Sequence, residues 1–521
     1  MFHSNTPKVV FNLMEIFPWW NEKQKKLAEE AKTFADKNLS KGEEVAWTQE
    51  FPSTLLKEVA EKGWFGALIP KEYGGIELGV TGSCIIAEEL GRICAALTAA
   101  YSVTMFGGVE QLIKFGNEEQ KRKWLPQVVK GMLGGICITE PGVGSDAASI
   151  ETTATLEGDH YVFNGKKRFI TNAGMGDIYC VYARTSDHPE DRAKYGHLSA
   201  FIVEKDTPGF SLERINELGG WIGLPNGYLD FDDAKVPMSS RLGAEGEGWT
   251  ILVDGLNFER NLFAAGMLGP MREAIRYAVG HSERRIQFKQ PSINFEINQF
   301  KIADMFARLR TARLLVYHSA HLMDVKADAV MEATNAKLYT SEAYERQMID
   351  AMQVMGGDGW TRFYPVEALM RDAEVNKLGA GTSEVMRMVL FRQGIRTMAE
   401  ELKMPHRHMH PTLGVPISTL SLSPITEINE KTVLEMLAED YKVNPGLYMS
   451  RNDMKALLTG VTDEKLDSII TALEAKGLAK LHRDRKRRIA LAKASYKGLK
   501  EAKPLEDYKW FPEWAKKQLN I

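Results

Sequence analysis

The apolar period of this chain changes twice, and that limits what it can fold into. From Asn21 to about Lys130 the spacing is helical, as in "LLKEVAEKGWFGALI" and "EEQKRKWLPQVV". From about 131 to 245 it turns into short β-rich runs divided by turn residues: "HYVFNGKKRFITNAG", "IYCVYART", "LSAFIVEKDTPGF", "YLDFDDAKVP". From Gly246 to about Lys403 long amphipathic helices return. A pattern with period 3.6 buries one face only as a helix, and an alternating pattern only as a strand. The spacing therefore predicts an α+β chain: helical domain 1–130, β domain 131–245 and helical domain 246–403. At 521 residues and 44% hydrophobic content the chain can supply several cores.

Residues 404–424, "MPHRHMHPTLGVPISTLSLSP", read as a Pro-, Ser- and Thr-rich linker. In 425–521, "NEKTVLEMLAEDY", "SRNDMKALL" and "TDEKLDSIITALEAKGL" predict three short helices, and "AKLHRD" with "RKRRIALAK" a two-stranded wing. The module resembles a winged helix. Its third helix opens with acidic "TDEKLD" where a recognition helix would meet phosphates, so subunit or partner packing is expected in place of nucleic acid binding.

The formal net charge of −3 excludes a global pull towards nucleic acid or an anionic membrane. Cys84, Cys94, Cys137 and Cys180 are too widely spaced for a CxxC metal site or a disulfide framework. The segment "MFHSNTPKVVFNLMEIFPWW" lacks the length of a transmembrane helix and the cleavage pattern of a signal peptide. A cytoplasmic protein without a bound metal is expected.

Three runs carry chemistry. "CITEPGVGSDAASIETTA" offers the hydroxyls of Thr139 and Ser145 and close backbone approach at Gly142 and Gly144, which suit a planar group with carbonyl edges. "RRIQF" offers an arginine fork, and "QVMGGDGWTRFYPVEALMRDAEVNKLGAGTSEV" a glycine turn followed by a loop entering a helix, with Thr382 or Ser383 as its N-cap. These runs resemble the signatures of the acyl-CoA dehydrogenases over roughly residues 20–400. The resemblance implies an N-terminal helical domain, a middle β-sandwich or barrel-like domain, a C-terminal four-helix bundle, FAD as cofactor and a homo-oligomer, usually a tetramer. It assigns cofactor contacts to Thr139, Gly144, Ser145, Phe169 and Thr171, with Phe169 against the flavin and the Thr171 hydroxyl at the hydride-receiving nitrogen. Arg285, Gln287 and Phe288 would hold the pyrophosphate. Gln353, Gly356 and Gly357 would meet the adenine end bound by a neighbouring subunit, and Thr382 and Glu384 would touch the same cofactor. Lys289 stands where the family usually has glycine, and Glu296 where it has glutamine.

Many family members carry a catalytic glutamate where this chain has Ala380. An alanine still offers the backbone N–H that binds the thioester carbonyl, so only the carboxylate is missing. In "ILVDGLNFERNLFAAG", Leu252, Leu256, Leu262 and Phe263 form a helical stripe, and Glu259 stands within it. A carboxylate on an apolar face is costly unless paired or used. A buried ion pair with an arginine from another helix would satisfy it, and so would catalysis. The isovaleryl-CoA and long-chain branch carries its base on this helix and has alanine on the loop, so the resemblance implies Glu259 as the base. It also places Ser145, Asn257, Arg260, Gly379, Ala380 and Gly381 against the acyl-CoA substrate. Asn257 replaces the usual aspartate.

Thr98 occupies the position where the glutaryl-specific branch has its arginine, which argues against a dicarboxylic substrate. Trp221 and the glycines of "LGGWIGLPNGYLDF" depart from the family pattern and would reshape the acyl or CoA entrance. The expected activity is α,β-dehydrogenation of a short branched or alicyclic acyl-CoA with electrons passed to an electron-transfer flavoprotein. A catalytically silent acyl-CoA-binding scaffold and a flavin oxidase are the alternatives.

Overall fold

The computed structural model describes residues 16–398, 425–443, 447–484 and 487–502, and the proposed linker 404–424 lies outside these. They divide into two compact units, one ending at Gln393. In the first unit, helix Glu22–Thr48 opens with a capping box from Asn21 and Gln24. Helix Glu118–Val129 opens the same way with Asn117 and Gln120. The "LLKEVAEKGWFGALI" run is helical only through Glu61, because Gly63 enters the left-handed region at φ 69° and Trp64–Gly66 closes as a tighter turn.

Eight strands follow: β1 (Gly134–Cys137), β2 (Thr153–Glu157), β3 (His160–Thr171), β4 (Ile178–Arg184), β5 (Leu198–Glu204), β6 (Phe210–Ile215), β7 (Asn226–Pro237) and β8 (Arg241–Leu242). The ladder runs β6-β7-β3-β2-β4-β5-β8, with β1 pairing β4 in parallel. β3 and β5 are three places apart, about 14 Å in a flat sheet. Their rings nonetheless meet, with Phe163 and Phe201 at 4.9 Å between centroids and Tyr161 and Phe201 at 4.8 Å. The sheet therefore curls around its own aromatic core.

Helices Gly248–Ser282, Glu296–Asp324, Val330–Met355 and Val366–Leu378 form the following bundle. The first of these crosses Gly79–Ile93 so closely that a Cβ on Gly269 would lie 2.1 Å from the Glu88 carbonyl. Buried charges are paired at this crossing: Glu88 with Arg313 at 3.0 Å and Arg272 at 3.2 Å, and Arg92 with Glu273 at 2.7 Å.

In the second unit, helices Glu430–Val443, Arg451–Leu457 and Asp463–Ala475 precede strands Ala479–Arg483 and Ile489–Ala494. Met449–Ser450 adds a third strand, giving the element order of a winged helix over its own core of Leu434, Leu437, Met454, Leu466 and Ile470. Among the described residues no helix is long and apolar enough to cross a membrane. All four cysteines are free.

Candidate active site

Glu259 lies in the N-terminal third of helix Gly248–Ser282, between buried Leu252 and Leu262, and is itself 9% exposed. Leu256 on the same stripe is only half-buried. Among the described residues the Glu259 carboxylate makes neither a hydrogen bond nor an ion pair, so the structural alternative of an arginine partner on another helix is not realised. Burial drives its pKa up to about 7, against the pull of Arg260 and Lys337 and with help from the carboxylate of Glu110. That places it near the pH at which a general base works best.

Two cations face the same space. Arg260 is buried, its Nη1 reaching the Thr334 hydroxyl at 3.5 Å while its Nε finds no partner. Lys337, from helix Val330–Met355, is fully buried and donates to the Gly381 carbonyl at 2.6 Å. Sequence reasoning did not single out Lys337. The available signal was its setting among the small residues Ala336, Thr340 and Ser341, all buried, which give a lysine no surface to reach.

Lys337 holds the loop Gly379–Gly381. Ala380 takes φ 54° and Gly381 φ 90°, a left-handed pair that costs a non-glycine residue about 1–2 kcal/mol. The Ala380 N–H is not taken by any backbone carbonyl of the described residues. Thr382 then caps the helix Ser383–Thr397, accepting from the Val385 N–H at 3.3 Å, and Glu384 is exposed in its first turn. Phe263 is one turn beyond Glu259, and a Cβ on Gly379 would lie 3.1 Å from its ring. Glu259, Arg260, Ala380 and Gly381 are thus gathered at one place, and half-buried Asn257 stands on the same helix one turn from Arg260.

Trp221 packs against Phe263, with ring centroids 5.6 Å apart and the planes tilted. Its backbone is left-handed at φ 50°, and its N–H donates to buried Asp372, while Arg371 donates to the Gly219 carbonyl at 3.1 Å. Burial raises the Asp372 carboxyl to about 7, and the Trp221 N–H offsets part of the rise. Thr98 is buried and its hydroxyl donates to the Ala87 carbonyl at 2.9 Å.

A second group of predicted residues meets in the β domain. The Thr139 carbonyl accepts from the Arg168 N–H at 2.8 Å, which ties the loop after β1 to the end of β3. Glu140 anchors that loop, accepting from the Glu151 and Thr152 N–H groups and from fully buried Lys167 at 2.7 Å, and leaves Gly144 and Ser145 exposed. β3 then breaks register between Lys167 and Ile170, so Phe169, at φ 59°, turns out of the core and is 48% exposed. The Arg168 guanidinium lies 4.2 Å from the centre of the Phe169 ring and steadies it. Thr171 is buried, its hydroxyl 3.4 Å from the Asn226 amide. An aromatic ring turned outward beside hydroxyls and an open glycine fits a flavin, whose flat ring system would cover the apolar surface left exposed.

A third group lies at the end of helix Gly248–Ser282. Residues 283–289 are all exposed, Phe288 at 89%. Gln287 pairs with Gln290, so Phe288 and Lys289, at φ 45° and 65°, form the two-residue turn of a hairpin that favours glycine. Lys289 therefore occupies the backbone conformation its usual glycine would. Nearby, Gln353 is exposed and Gly356 and Gly357 form a turn with open space above them. His281 and Asp358, 2.7 Å apart, join this turn to the helix that leads into the Arg285 hairpin.

Residues 21–132, 135–234 and 246–395 match the N-terminal, middle and C-terminal domains of acyl-CoA dehydrogenase. An acyl-CoA dehydrogenase of Bacillus subtilis (strain 168) is 39% identical over 361 residues, 69% of this chain and 94% of its own. The chain belongs to the acyl-CoA dehydrogenase family. A cyclohex-1-ene-1-carbonyl-CoA dehydrogenase of Geobacter metallireducens is 37% identical over 345 residues, 66% of this chain and 90% of its own. The solved butyryl-CoA dehydrogenase of Megasphaera elsdenii aligns with a TM-score of 0.70 at 33% identity, covering 74% of this chain and 100% of that one. Membership makes the chain an acyl-CoA dehydrogenase, an oxidoreductase acting on CH–CH groups with FAD as its cofactor. The module beyond residue 395 lies outside the matched domains.

Proposed function

We propose that this enzyme dehydrogenates a short branched or alicyclic acyl-CoA to the 2-enoyl-CoA, with Glu259 as the base. The observation that carries this reading is a buried carboxylate with no partner among the described residues, one helical turn from Phe263, whose ring packs on the loop that presents the Ala380 N–H. FAD, when bound, would supply the acceptor for the β-hydride. The α-proton passes to a carboxylate oxygen of Glu259, and the charge that develops on the thioester oxygen is met by the Ala380 N–H. Phe169 and Thr171 would border the flavin, with Thr139, Gly144 and Ser145 along its edge. Arg285, Gln287 and Phe288 would hold the pyrophosphate, and Gln353, Gly356, Gly357, Thr382 and Glu384 would serve the remainder of the cofactor. Asn257, Arg260 and Ser145 would meet the CoA part.

The substrate class rests on Phe263 and Trp221, which pack together one turn beyond Glu259 and would bound the acyl group there. The similarity to a dehydrogenase of an alicyclic acyl-CoA supports the same choice. The exposed Arg285 hairpin and the exposed Ile297, Phe300 and Leu314 support a homo-oligomer, a tetramer as is usual in the family, in which a neighbour completes the cofactor site. Electrons would pass to an electron-transfer flavoprotein.

The test is anaerobic bleaching of the yellow protein by a panel of acyl-CoAs, repeated with Glu259→Gln. Short branched and alicyclic substrates should bleach the wild type fastest, and the variant should bind them yet reduce flavin about 10²- to 10⁴-fold more slowly. Reduction of Glu259→Gln at the wild-type rate would place the base elsewhere. Absence of bleaching by every acyl-CoA would mark a silent scaffold, and rapid peroxide formation in air an oxidase.

A further inference from the structure

Lys337 is a buried ammonium to which the proposed chemistry assigns no role. It has no accessible surface, no ion pair among the described residues, and a single hydrogen bond, to the Gly381 carbonyl at 2.6 Å. A lysine left in that state is costly, and replacing it with an apolar side chain of similar shape would remove the cost. Its position is specific. It fixes the loop that carries the Ala380 N–H, and it lies 5.9 Å from the Phe263 ring, one turn from Glu259.

We propose that Lys337 is a positioning residue for proton abstraction, holding the Gly379–Gly381 loop in place and supplying the positive charge that keeps Glu259 ionised in its buried setting. This rests on the reading of Glu259 as the base. A carboxylate with no partner within bonding distance must still be deprotonated to act. The groups facing Glu259 are Arg260 on its own helix, Lys337 on Val330–Met355, Glu110 from the N-terminal domain and Tyr182 from β4. Glu110 opposes ionisation, and Tyr182, whose own pKa burial pushes well up, stays neutral, so the two cations carry the balance. Those facing Lys337 are Arg260, Glu259, Glu384 and Glu342, and Glu342 is engaged by Arg387 at 2.7 Å. Burial first, then the adjacent Arg260, brings Lys337 down to about 8, so its charge is itself within reach of titration.

Two variants test this, assayed by the pH dependence of anaerobic flavin reduction. Lys337→Met keeps length and shape and removes the charge. Losing the cation raises the Glu259 pKa, so the acid-side midpoint of the reduction rate should move up by about one pH unit, the lower end of what a nearby opposite charge contributes. Lys337→Arg restores a cation that does not deprotonate. It should return that midpoint towards the wild-type value and abolish any fall in rate on the alkaline side. An unmoved acid midpoint in a Lys337→Met protein that retains FAD would overturn the proposal, as would equal midpoints in the two variants. If Lys337→Met failed to fold, a Lys337→Arg midpoint equal to wild type with the alkaline fall intact would overturn it as well. Glu259→Gln separates the two layers: a wild-type rate there removes the base itself, whereas a slow Glu259→Gln with an unmoved Lys337→Met midpoint removes only the role of the lysine.

Discussion

Glu259 carries opposite consequences for function and stability. Its pKa is about 7 in the folded chain against an ordinary 4.5, so between those values the folded state holds a proton that the unfolded state has lost. Stability attributable to this group is therefore greatest below pH 4.5 and declines as pH rises towards 7. Over that window the loss is on the order of 3 kcal/mol. A glutamine at this position does not titrate, so Glu259→Gln should gain stability relative to wild type by that order as pH rises from about 4.5 to about 8, read from denaturant midpoints at each pH. A stability difference independent of pH would mean that Glu259 titrates as an ordinary surface carboxylate. The contrast with Glu88 is instructive. Both are buried glutamates on helices, but Glu88 has Arg313 and Arg272 around it, which hold its pKa down against its burial. A buried charge that is paired serves the fold, and one left unpaired costs the fold and is available for chemistry.

At the level of the element, the site is built from interruptions of regular structure. β3 loses register so that Phe169 faces outward, the Gly379–Gly381 loop turns left-handed before a helix, and the Arg285 hairpin follows the first bundle helix as a fully exposed turn. His281, at the end of the helix that leads into the hairpin, is joined to Asp358 of the Gly356–Trp360 turn, so the base of the hairpin is tied to that turn. Arg285→Ala should lower FAD occupancy while leaving the fold intact, because a pyrophosphate loses charge-assisted bonds of about 1.5–3 kcal/mol each and an exposed arginine contributes little to packing. Absorbance of the purified variant at the flavin band reads the outcome, and full flavin retention would move the pyrophosphate site away from this hairpin.

At the scale of the whole molecule, each of the two compact units has a core of its own, that of the second including Val433, Leu437 and Ile470. Truncation after Lys403 should therefore leave a yellow protein that is still bleached by acyl-CoA. Loss of FAD on truncation would show that the module supports the catalytic body, and salt-sensitive retention of the isolated module on DNA would reverse the expectation of partner packing. The broad architecture was legible in the sequence because hydrophobic period is a local property: two helical stretches around a β stretch can bury their faces in few ways. The signature runs were legible too, since the spacing of Thr139, Ser145, Arg285 and Gly356 is written along the chain. Glu259 stood out as a carboxylate in an apolar stripe, but its lack of a partner depends on what the surrounding elements bring to it. Lys337, Asp372 under the Trp221 loop, and the packing of Phe263 on Trp221 were decided only by tertiary structure. Each joins residues tens to more than a hundred positions apart, and burial of a charge is a property of the space around a side chain, which no stretch of sequence contains.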